Sequence, residues 1–423
     1  MKKLFLALFL PLGMLAQYQN VKIGESAPMR RGICEPSICI NKARPHEMVA
    51  GAILDRVFYS EDGGQTWKGD TLVSSYGVWG DPVLVSDFEG NVYFLHLSDP
   101  TGLNWKSEEI LDRIVCQKST DGGKSWNDGS FMGLDHPKDQ DKQWAAVNPL
   151  NNTVYTTWTQ FDKYGAKEEE FKSNIMFSQS TDGGESWSKA LQINQIAGGC
   201  LDDDNTTEGA VPCVSPDGEI YVAWSNGGKI YFDRSHDGEN WLEEDIIVGD
   251  HVGGWDIEIP GLQRANGMPV TACDISDGSN RGTIYINWVD DRNGHYDVWL
   301  VKSTDQGDSW SEPIKVNDDK KKRDQFFSWL SCDPVTGYLY TIFYDRRNHK
   351  KLETDVYMAY SKDGGETWVN EKISETSFVP DPSVFFGDYN DIEAYNGQVR
   401  PIWTRMEVDG SMSIWTALIN FEE

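Results

Sequence analysis

The sequence predicts an all-β fold, a seven-bladed β-propeller, from a repeated hairpin motif, four strand-like runs per repeat and a spare strand near the amino terminus. The motif is Ser-x-Asp-x-Gly-x-Ser/Thr-Trp, here called the box, and it occurs six times in the 423 residues, once in a form one residue shorter. Units repeated every 55 to 68 residues or so are typical of propellers and solenoids. The box aspartates are Asp62, Asp121, Asp182, Asp237, Asp305 and Asp363.

Each box lies between two strand-like runs, and Asp-Gly-Gly in that position indicates a hairpin. The aspartate can accept hydrogen bonds from the amides of its own turn, which predicts a structural role for the six boxes. Two further β runs joined by a turn precede each hairpin, as in residues 210–227 and 326–347. Each repeat therefore contains strands A to D with the box between C and D, and four-stranded repeats of this size are typical of propeller blades.

A seventh blade is predicted at the carboxyl end, where the sequence supplies strands A to C but no box. The run from Gln19 to Gly24 is a free strand that would complete this blade and close the ring, which removes the open sheet edges. Six and eight blades are the alternative counts. The predicted blades lie near residues 33–68, 80–126, 141–187, 207–241, 268–310, 324–368 and 384–420.

The first sixteen residues are typical of a secretory signal, with two lysines, a short apolar run and a cleavage point after Ala16. Residues 17–423 are then one propeller domain of a secreted or periplasmic protein. The formal net charge of −29 argues against binding to nucleic acid, and no insertion into a membrane is expected. Of the seven cysteines, Cys200 and Cys213 are the expected disulfide pair, because export permits disulfides and the two flank one loop.

Strand direction alternates within a blade, so the boxes share one face of the ring. The opposite face collects the starts of the A strands and the ends of the B strands. Acidic, basic and aromatic side chains converge there, which is the usual composition of a ligand site. The candidate catalytic residues are Tyr389, Asp81, Asp388 and Glu208, and the candidate substrate-binding residues are Arg264, Arg292, Arg347, Arg405, Trp144 and Trp255.

This set of residues suits carbohydrate chemistry. Arginine binds carboxylates through two hydrogen bonds, aromatic rings stack on sugars, and paired carboxyl groups divide the acid and base roles in glycoside hydrolysis. Tyr389, beside Asp388, is the local candidate nucleophile. The alternative is structural, because Asp–Arg pairs such as Asp345–Arg347 also tie loops together.

Three consecutive aspartates, Asp202, Asp203 and Asp204, supply the hard oxygen ligands that calcium prefers. A solvated acidic loop is the competing interpretation, since no twelve-residue calcium-loop pattern is present. No cofactor is required by the predicted chemistry, and calcium is the one candidate.

The boxes match the Asp-box or BNR repeat, and the chain resembles the sialidase-like β-propeller superfamily. Longer landmarks at 200–212, 253–269, 343–348 and 385–392 resemble secreted Bacteroidetes BNR-repeat proteins labelled exo-α-sialidase or glycosyl hydrolase. Sialidases carry Phe/Tyr-Arg-Ile-Pro before the first blade, and Ile33-Cys34-Glu35-Pro36 stands at that place here, with Cys34 where the family has its first arginine.

The resemblance implies an exported, sialidase-like glycoside hydrolase that acts on a terminal or acidic sugar. Two alternatives remain open from the sequence. One is a non-catalytic propeller that binds glycan or protein, and the other is a polysaccharide lyase on the same scaffold, for which His295 beside Arg292 is the candidate base.

Overall fold

The computed structural model describes residues 18–27 and 32–421, which form seven four-stranded antiparallel sheets arranged as a propeller. The predicted signal sequence and its cleavage point lie outside the described residues. Within the described ranges, the one helix is a short 3-10 turn at Asn104–Lys106, and no helix is long and apolar enough to cross a membrane.

The strands of the first four sheets, with β1 at the amino end, follow in chain order. They are β1 (Gln19–Glu25), β2 (Ser37–Ile40), β3 (Met48–Ala52), β4 (Arg56–Ser60), β5 (Lys68–Thr71), β6 (Val83–Ser86), β7 (Val92–Leu97), β8 (Ile114–Ser119), β9 (Ser130–Met132), β10 (Asp139–Val147), β11 (Val154–Phe161), β12 (Ser173–Ser180), β13 (Leu191–Gln192), β14 (Glu208–Val214), β15 (Ile220–Asn226), β16 (Lys229–Ser235) and β17 (Ile246–Asp250).

The remaining strands build the last three sheets. They are β18 (Val270–Cys273), β19 (Ile284–Asp290), β20 (Asp297–Ser303), β21 (Ile314–Lys315), β22 (Gln325–Cys332), β23 (Leu339–Asp345), β24 (Asp355–Ser361), β25 (Val369–Lys372), β26 (Asp391–Tyr395), β27 (Gln398–Met406) and β28 (Met412–Asn420). The predicted count of seven blades is confirmed.

Six sheets consist of four consecutive strands, and the seventh has the order β1-β28-β27-β26. Strand β1 is the outer strand of that sheet and pairs antiparallel with β28, from Gln19 opposite Leu418 to Glu25 opposite Ser413. The sequence analysis assigned this position to residues 19–24. Hydrogen bonds between the two ends of the chain therefore close the ring.

Large aromatic side chains fill the space between neighbouring blades, which suits the flat packing of one sheet on the next. Trp158, Trp224, Trp288 and Trp403, all from the second strands of their blades, are fully buried. The inner strands surround the propeller axis. Strand direction alternates within each four-stranded blade, so all the inner strands run in the same direction and their starting ends share one face.

The boxes form compact hairpins on the other face. In the third blade Ser180 Oγ donates to Asp182 Oδ1 (2.8 Å), and the amide of Ser186 donates to the same oxygen (3.0 Å). In the first blade Trp67 Nε1 donates to the carbonyl of Gly64 (3.0 Å). Each box aspartate thus has its donors within its own turn, as expected for a structural element.

The expected disulfide between Cys200 and Cys213 is wrong, since both side chains are free thiols. Cys200 is buried beside Ala166 and beside Phe161 at the end of β11. Cys213 lies within β14, and its partly buried side chain packs with Tyr221 and Cys273. The two cysteines flank one loop in sequence but belong to different hydrophobic clusters.

Candidate functional site

The site is built at the entrances to the inner strands, where the backbone adopts an unusual conformation. Glu35, Asp81 and Lys142 all have left-handed backbone angles, with φ of 53°, 49° and 53°. Such angles are costly for residues other than glycine and persist where the surrounding fold enforces them. The same distortion at the entrance to three successive blades brings three charged side chains to one end of the propeller.

The third, fourth and sixth blades show how the distortion arises. Their first two strands lose register at a β-bulge, between Asp141 and Trp144, between Glu208 and Val211, and between Phe326 and Trp329. A bulge adds a residue to one strand and re-aims its side chains. The residue after the first member of each bulge has positive φ, and it is Lys142, Gly209 or Phe327.

Position 209 requires glycine because the Trp255 ring leaves no room for a side chain. A Cβ atom there would lie 2.6 Å from the ring of Trp255, and the residue has a φ of +76°. The fourth blade therefore has no side chain at this position beside Trp255, whereas the third blade has a lysine at the equivalent position.

Lys142 and Arg264 meet at Asp388. Lys142 Nζ donates to both carboxylate oxygens of Asp388 (3.0 Å each) and lies 3.6 Å from Asp81 Oδ2. Arg264 Nη2 donates to Asp388 Oδ2, and Asn266 Nδ2 donates to the backbone carbonyl of Asp388 (3.0 Å). Both Lys142 and Asp388 are almost completely buried.

The charges of this cluster support one another. Burial alone would raise the pKa of Asp388, but Arg264 and Lys142 outweigh it and bring that pKa well below its ordinary value. Burial alone would lower the pKa of Lys142, but Asp388 and Asp81 bring it well above its ordinary value. Asp388 is therefore ionised and Lys142 protonated over the whole physiological range.

Asp202 connects the side chains next to this charge cluster. Its Oδ1 accepts from Trp255 Nε1 (3.0 Å), and its Oδ2 accepts from the hydroxyl of Tyr164 (3.0 Å) and from Arg264 Nη1 (3.2 Å). These contacts join a loop of the third blade to the entrances of the fourth and fifth blades around one carboxylate. Arg264 is thereby fixed between Asp202 and Asp388.

Three other carboxyl groups of the site favour the protonated form. Burial raises the pKa of Glu35 well above its ordinary value, and Asp388 and Asp81 add to the increase. Burial, with Asp81, raises the pKa of Asp141 to about 7. Burial and Asp202 raise the pKa of Glu208 well above its ordinary value, and neither carboxyl oxygen of Glu208 has a hydrogen-bond partner within the described residues.

An open cavity of about 650 Å³, here called the mouth cavity, lies over this cluster. Its polar lining comes from Glu35, Asp81, Asp141, Lys142 and Arg264. Its aromatic lining comes from Trp79, Trp105, Tyr164 and Phe385. The ring of Trp105 stacks on Tyr164 at 5.8 Å and meets the edge of Trp79 at 6.4 Å, and the side chain of Trp105 is more than half exposed.

A second cavity of about 560 Å³, here called the side cavity, lies beyond Arg264. It is lined by residues 255–266 with Asp202 and Asp388. Arg264 lines both cavities, and no other arginine of the described residues lines either one. No box residue lines them, so the boxes and the cavities occupy opposite faces.

Of the predicted catalytic residues, Asp81 lines the mouth cavity and Asp388 lies at the junction of the two cavities. Tyr389 and Glu208 are buried and line neither. The ring of Tyr389 packs against Trp144 at 5.2 Å, and its hydroxyl has no hydrogen-bond partner within the described residues. Burial raises the pKa of Tyr389, and Asp81 and Glu35 raise it further, so the hydroxyl is not activated.

The predicted substrate-binding residues divide into two groups. Arg264 lines both cavities and Trp255 lines the side cavity. Trp144 lines neither, because its buried ring packs on Trp329 at 4.4 Å inside the ring of inner strands.

Arg292, Arg347 and Arg405 also lie away from both cavities, since each is held by an acidic neighbour. Arg292 pairs with Asp290 and lies over Trp299 at 4.7 Å. Arg347 Nε donates to Asp345 (2.7 Å), and Arg405 pairs with Glu407 (3.2 Å). The structure does not bring these three arginines to either cavity, and the structural alternative of Asp–Arg loop pairs accounts for the contacts of the first two.

The three aspartates proposed for calcium do not converge on one point. Asp203 Oδ1 accepts from the amide of Asn205 (2.9 Å), and Asp204 Oδ1 accepts from the amide of Asp256 (2.9 Å), while Asp202 has the three partners described above. Within residues 18–27 and 32–421, no group of three or more His, Cys, Asp or Glu side chains is arranged to hold a metal ion.

Sequence reasoning missed the central lysine. Lys142 lies between Asp141 and Gln143, and its signal in the sequence is a lone cation at a strand entrance that also carries Asp139 and Asp141. Tyr164 and Trp105 were also missed, because both come from loops whose approach to the axis no strand pattern predicts.

Comparison with known proteins places the fold. A family model described as BNR/Asp-box repeat matches residues 58–68. No curated protein matches the chain. A Hadza microbial sialidase, Hz136, is similar to it in structure with a TM-score of 0.50 and 15% identity, over 89% of this chain and 73% of that one.

Two further solved structures are similar. A protein of unknown function from Dyadobacter fermentans has a TM-score of 0.53 and 12% identity, over 96% of this chain and 99% of that one. The NanB sialidase from Streptococcus pneumoniae has a TM-score of 0.50 and 10% identity, over 88% and 83%. The chain therefore has a sialidase-like β-propeller fold with BNR/Asp-box repeats. At these identities the likeness concerns the fold and not the reaction.

Proposed function

We propose that this protein is an exported glycoside hydrolase whose active site is the mouth cavity. The observation that carries the proposal is a pair of carboxyl groups, Asp81 and Asp141, on one cavity wall. Asp141 has a pKa of about 7, so much of it is protonated at neutral pH, and Asp81 faces the same cavity 3.6 Å from the lysine Nζ. Glycoside hydrolysis uses one carboxyl group as acid and a second as base or nucleophile.

In this proposal Asp141 is the general acid that protonates the leaving oxygen. Asp81 is the second carboxyl group; burial raises its pKa, and Lys142 Nζ at 3.6 Å opposes that increase. Asp388 is a positioning residue, because its oxygens are occupied by Lys142 and Arg264. Tyr389 is not given the nucleophile's role, since it lines neither cavity and its hydroxyl is not activated.

The aromatic wall supports a sugar ligand. Trp79, Trp105 and Tyr164 offer ring faces and edges beside the carboxyl groups, and aromatic rings with a few placed polar groups are typical of carbohydrate sites. Hz136 and NanB are described as sialidases, which makes glycan chemistry at the mouth of a similar propeller a reasonable starting point. Export rests on the signal-like first sixteen residues.

A glycan-binding propeller without turnover is the second candidate. It is favoured by the position of Tyr389, which lines neither the mouth cavity nor the side cavity and whose hydroxyl has no hydrogen-bond partner within the described residues. The lyase alternative has less support, because His295 lies 3.4 Å from Asp297 and lines neither cavity.

Turnover of aryl and methyl glycosides by the purified protein and by Asp141→Asn tests the proposal. The variant should lose about 10²- to 10⁴-fold in kcat on methyl glycosides, which need protonation of the leaving group, with KM changed little. It should lose much less on dinitrophenyl glycosides, whose leaving group departs without a proton.

Asp182→Asn is the matched control, since it makes the same change on the opposite face and should leave kcat unaltered. Binding of glycans without release of reducing ends by the wild-type protein would favour the second candidate. An equal loss of kcat on both leaving groups would remove Asp141 from the acid's role.

A further inference from the structure

The charge balance of the mouth cavity is a second property of this site. Three carboxyl groups line the cavity, those of Glu35, Asp81 and Asp141, and a fourth, Asp388, lies beneath. Two cations, Lys142 and Arg264, face them. Acidic groups therefore outnumber basic groups around the space that a ligand would fill.

Both cations are already engaged. Lys142 donates to both oxygens of Asp388, and Arg264 uses its two terminal nitrogens on Asp202 and Asp388. Arginine recognises a ligand carboxylate through its planar fork, and here both ends of that fork are occupied by protein carboxylates. An acidic sugar would have to displace Lys142 or Arg264 from the almost completely buried Asp388, or Arg264 from Asp202, which is costly.

Two of the four carboxyl groups, Glu35 and Asp141, are in a different situation. Within the described residues, neither Glu35 nor Asp141 has an ion pair with a basic side chain, although Lys142 and Arg264 lie nearby. Glu35 is only 2% exposed, and its Oε1 has no hydrogen-bond partner among the residues that the structure describes. A buried oxygen left without a donor beside a cavity indicates a donor that arrives with the ligand.

Resting on the glycoside-active site proposed above, we propose that the sugar it recognises carries a positive charge, as an amino sugar with a free ammonium group does. The ammonium group lies between Glu35 and Asp81 and donates to the unpartnered Glu35 Oε1. The sugar ring then lies toward Tyr164 and Trp105, with its glycosidic oxygen toward Asp141.

Such a ligand should release protons from the protein when it binds. Glu35 holds a proton because burial and the neighbouring Asp388 and Asp81 raise its pKa. An ammonium group placed beside it favours its ionised form. Binding of the amine should therefore be linked to proton release, whereas binding of the corresponding N-acetylated sugar should not be.

Titration calorimetry on the full mature protein tests this with three matched disaccharides. The first contains glucosamine with free amines, the second is its N-acetylated counterpart, and the third contains glucuronic acid. Each is titrated near pH 6 in two buffers that differ in ionisation enthalpy. We expect the free amine to bind at least tenfold more tightly than the other two, with an apparent enthalpy that depends on the buffer.

Glu35→Gln should remove most of the proton release and at least tenfold of the amine's affinity, while the weak affinity for the N-acetylated sugar remains. Glu61→Gln, which removes an exposed glutamate on the box face, is the control and should change neither. Retained binding of the N-acetylated sugar shows that the Glu35 variant is folded.

Tighter binding of the glucuronic acid or N-acetylated disaccharide by the wild-type protein would overturn this inference and leave the glycan proposal standing. Buffer-independent binding of the free amine would overturn it as well. Failure of all three disaccharides and of a wider glycan panel to bind would overturn the proposed function together with the inference.

Discussion

The two faces of this propeller shift the pKa of aspartate side chains in opposite directions. On the box face, Asp182 and Asp305 are exposed, and hydrogen bonds from their own turns lower the pKa of each to about 2. At the mouth, Asp141 is buried, and burial raises its pKa to about 7. The protonation of an aspartate here is decided by local donors and solvent.

The comparison shows how one repeat unit separates stability from reactivity. A box aspartate receives its donors from residues two to four positions away, so each blade carries its own fully satisfied turn. The mouth aspartates come from different blades and share two cations among them. Only the ring as a whole brings these groups together, so the mouth depends on every blade being in place.

Removing the central cation should have the largest effect. Lys142→Met leaves Asp388 and Asp81 buried beside a single arginine, and breaking a buried ion pair costs about 3–5 kcal/mol. We expect a loss of that size in the free energy of unfolding, measured by urea titration at pH 7.

Lys124→Met on the box face is the matched control, because Lys124 is exposed and pairs with the exposed Glu61. Its urea midpoint should not move measurably. Equal midpoints for the two variants would show that the buried cluster adds nothing to stability.

The second largest effect should be on the pH dependence of stability, which differs in sign between the aspartates of the two faces. Because the folded state raises the pKa of Asp141, it binds a proton that the unfolded chain has released, and stability falls as pH rises from about 4 to about 7. This group should make the protein about 2–3 kcal/mol less stable at pH 8 than at pH 5. Asp141→Asn should flatten that slope, as measured by denaturant titration at several pH values.

The low-pKa box aspartates have the reverse sign, since their contribution is lost only as pH falls toward 2. A slope between pH 5 and 8 that is the same in wild type and Asp141→Asn would contradict the protonated state assigned to Asp141.

Opening one box should have the smallest effect. Asp182→Ala removes the acceptor for Ser180, Ser186 and the turn amides, and the loss should be about 1 kcal/mol, because solvent replaces part of the hydrogen bonding. Ser186→Ala, which removes one donor, should cost less. Glycan affinity should be the same in both variants, and a weakened affinity without unfolding would show that the two faces are coupled.

The architecture could be predicted from the sequence because each blade repeats a local signal. Six boxes, the alternating strands around them and the spare run near Gln19 define a closed ring before any coordinate is known. Acidic residues at the strand entrances were predicted for the same reason, and Asp81, Asp388 and Arg264 do meet at the mouth.

The exact membership of the site could not be predicted, because it depends on backbone distortions and on competition between partners. A bulge after Asp141 places Lys142 at the center of the charge cluster and turns Trp144 toward the inner strands. Arg292 and Arg347 each follow an aspartate by two residues. That nearby carboxylate pairs with the guanidinium, which is then not available to a ligand. Sequence position alone does not show either outcome.

The pairing of β1 with β28 has a consequence for how the chain reaches this state. Val21 lies opposite Thr416, so β1 cannot pair in its sheet until β28 has been synthesised. Six sheets can form from consecutive segments, but the seventh cannot, and until it does two unpaired strand edges face each other across a gap. A carboxyl-terminal truncation before Met412 would make that gap permanent, and such fragments should self-associate through their exposed edges.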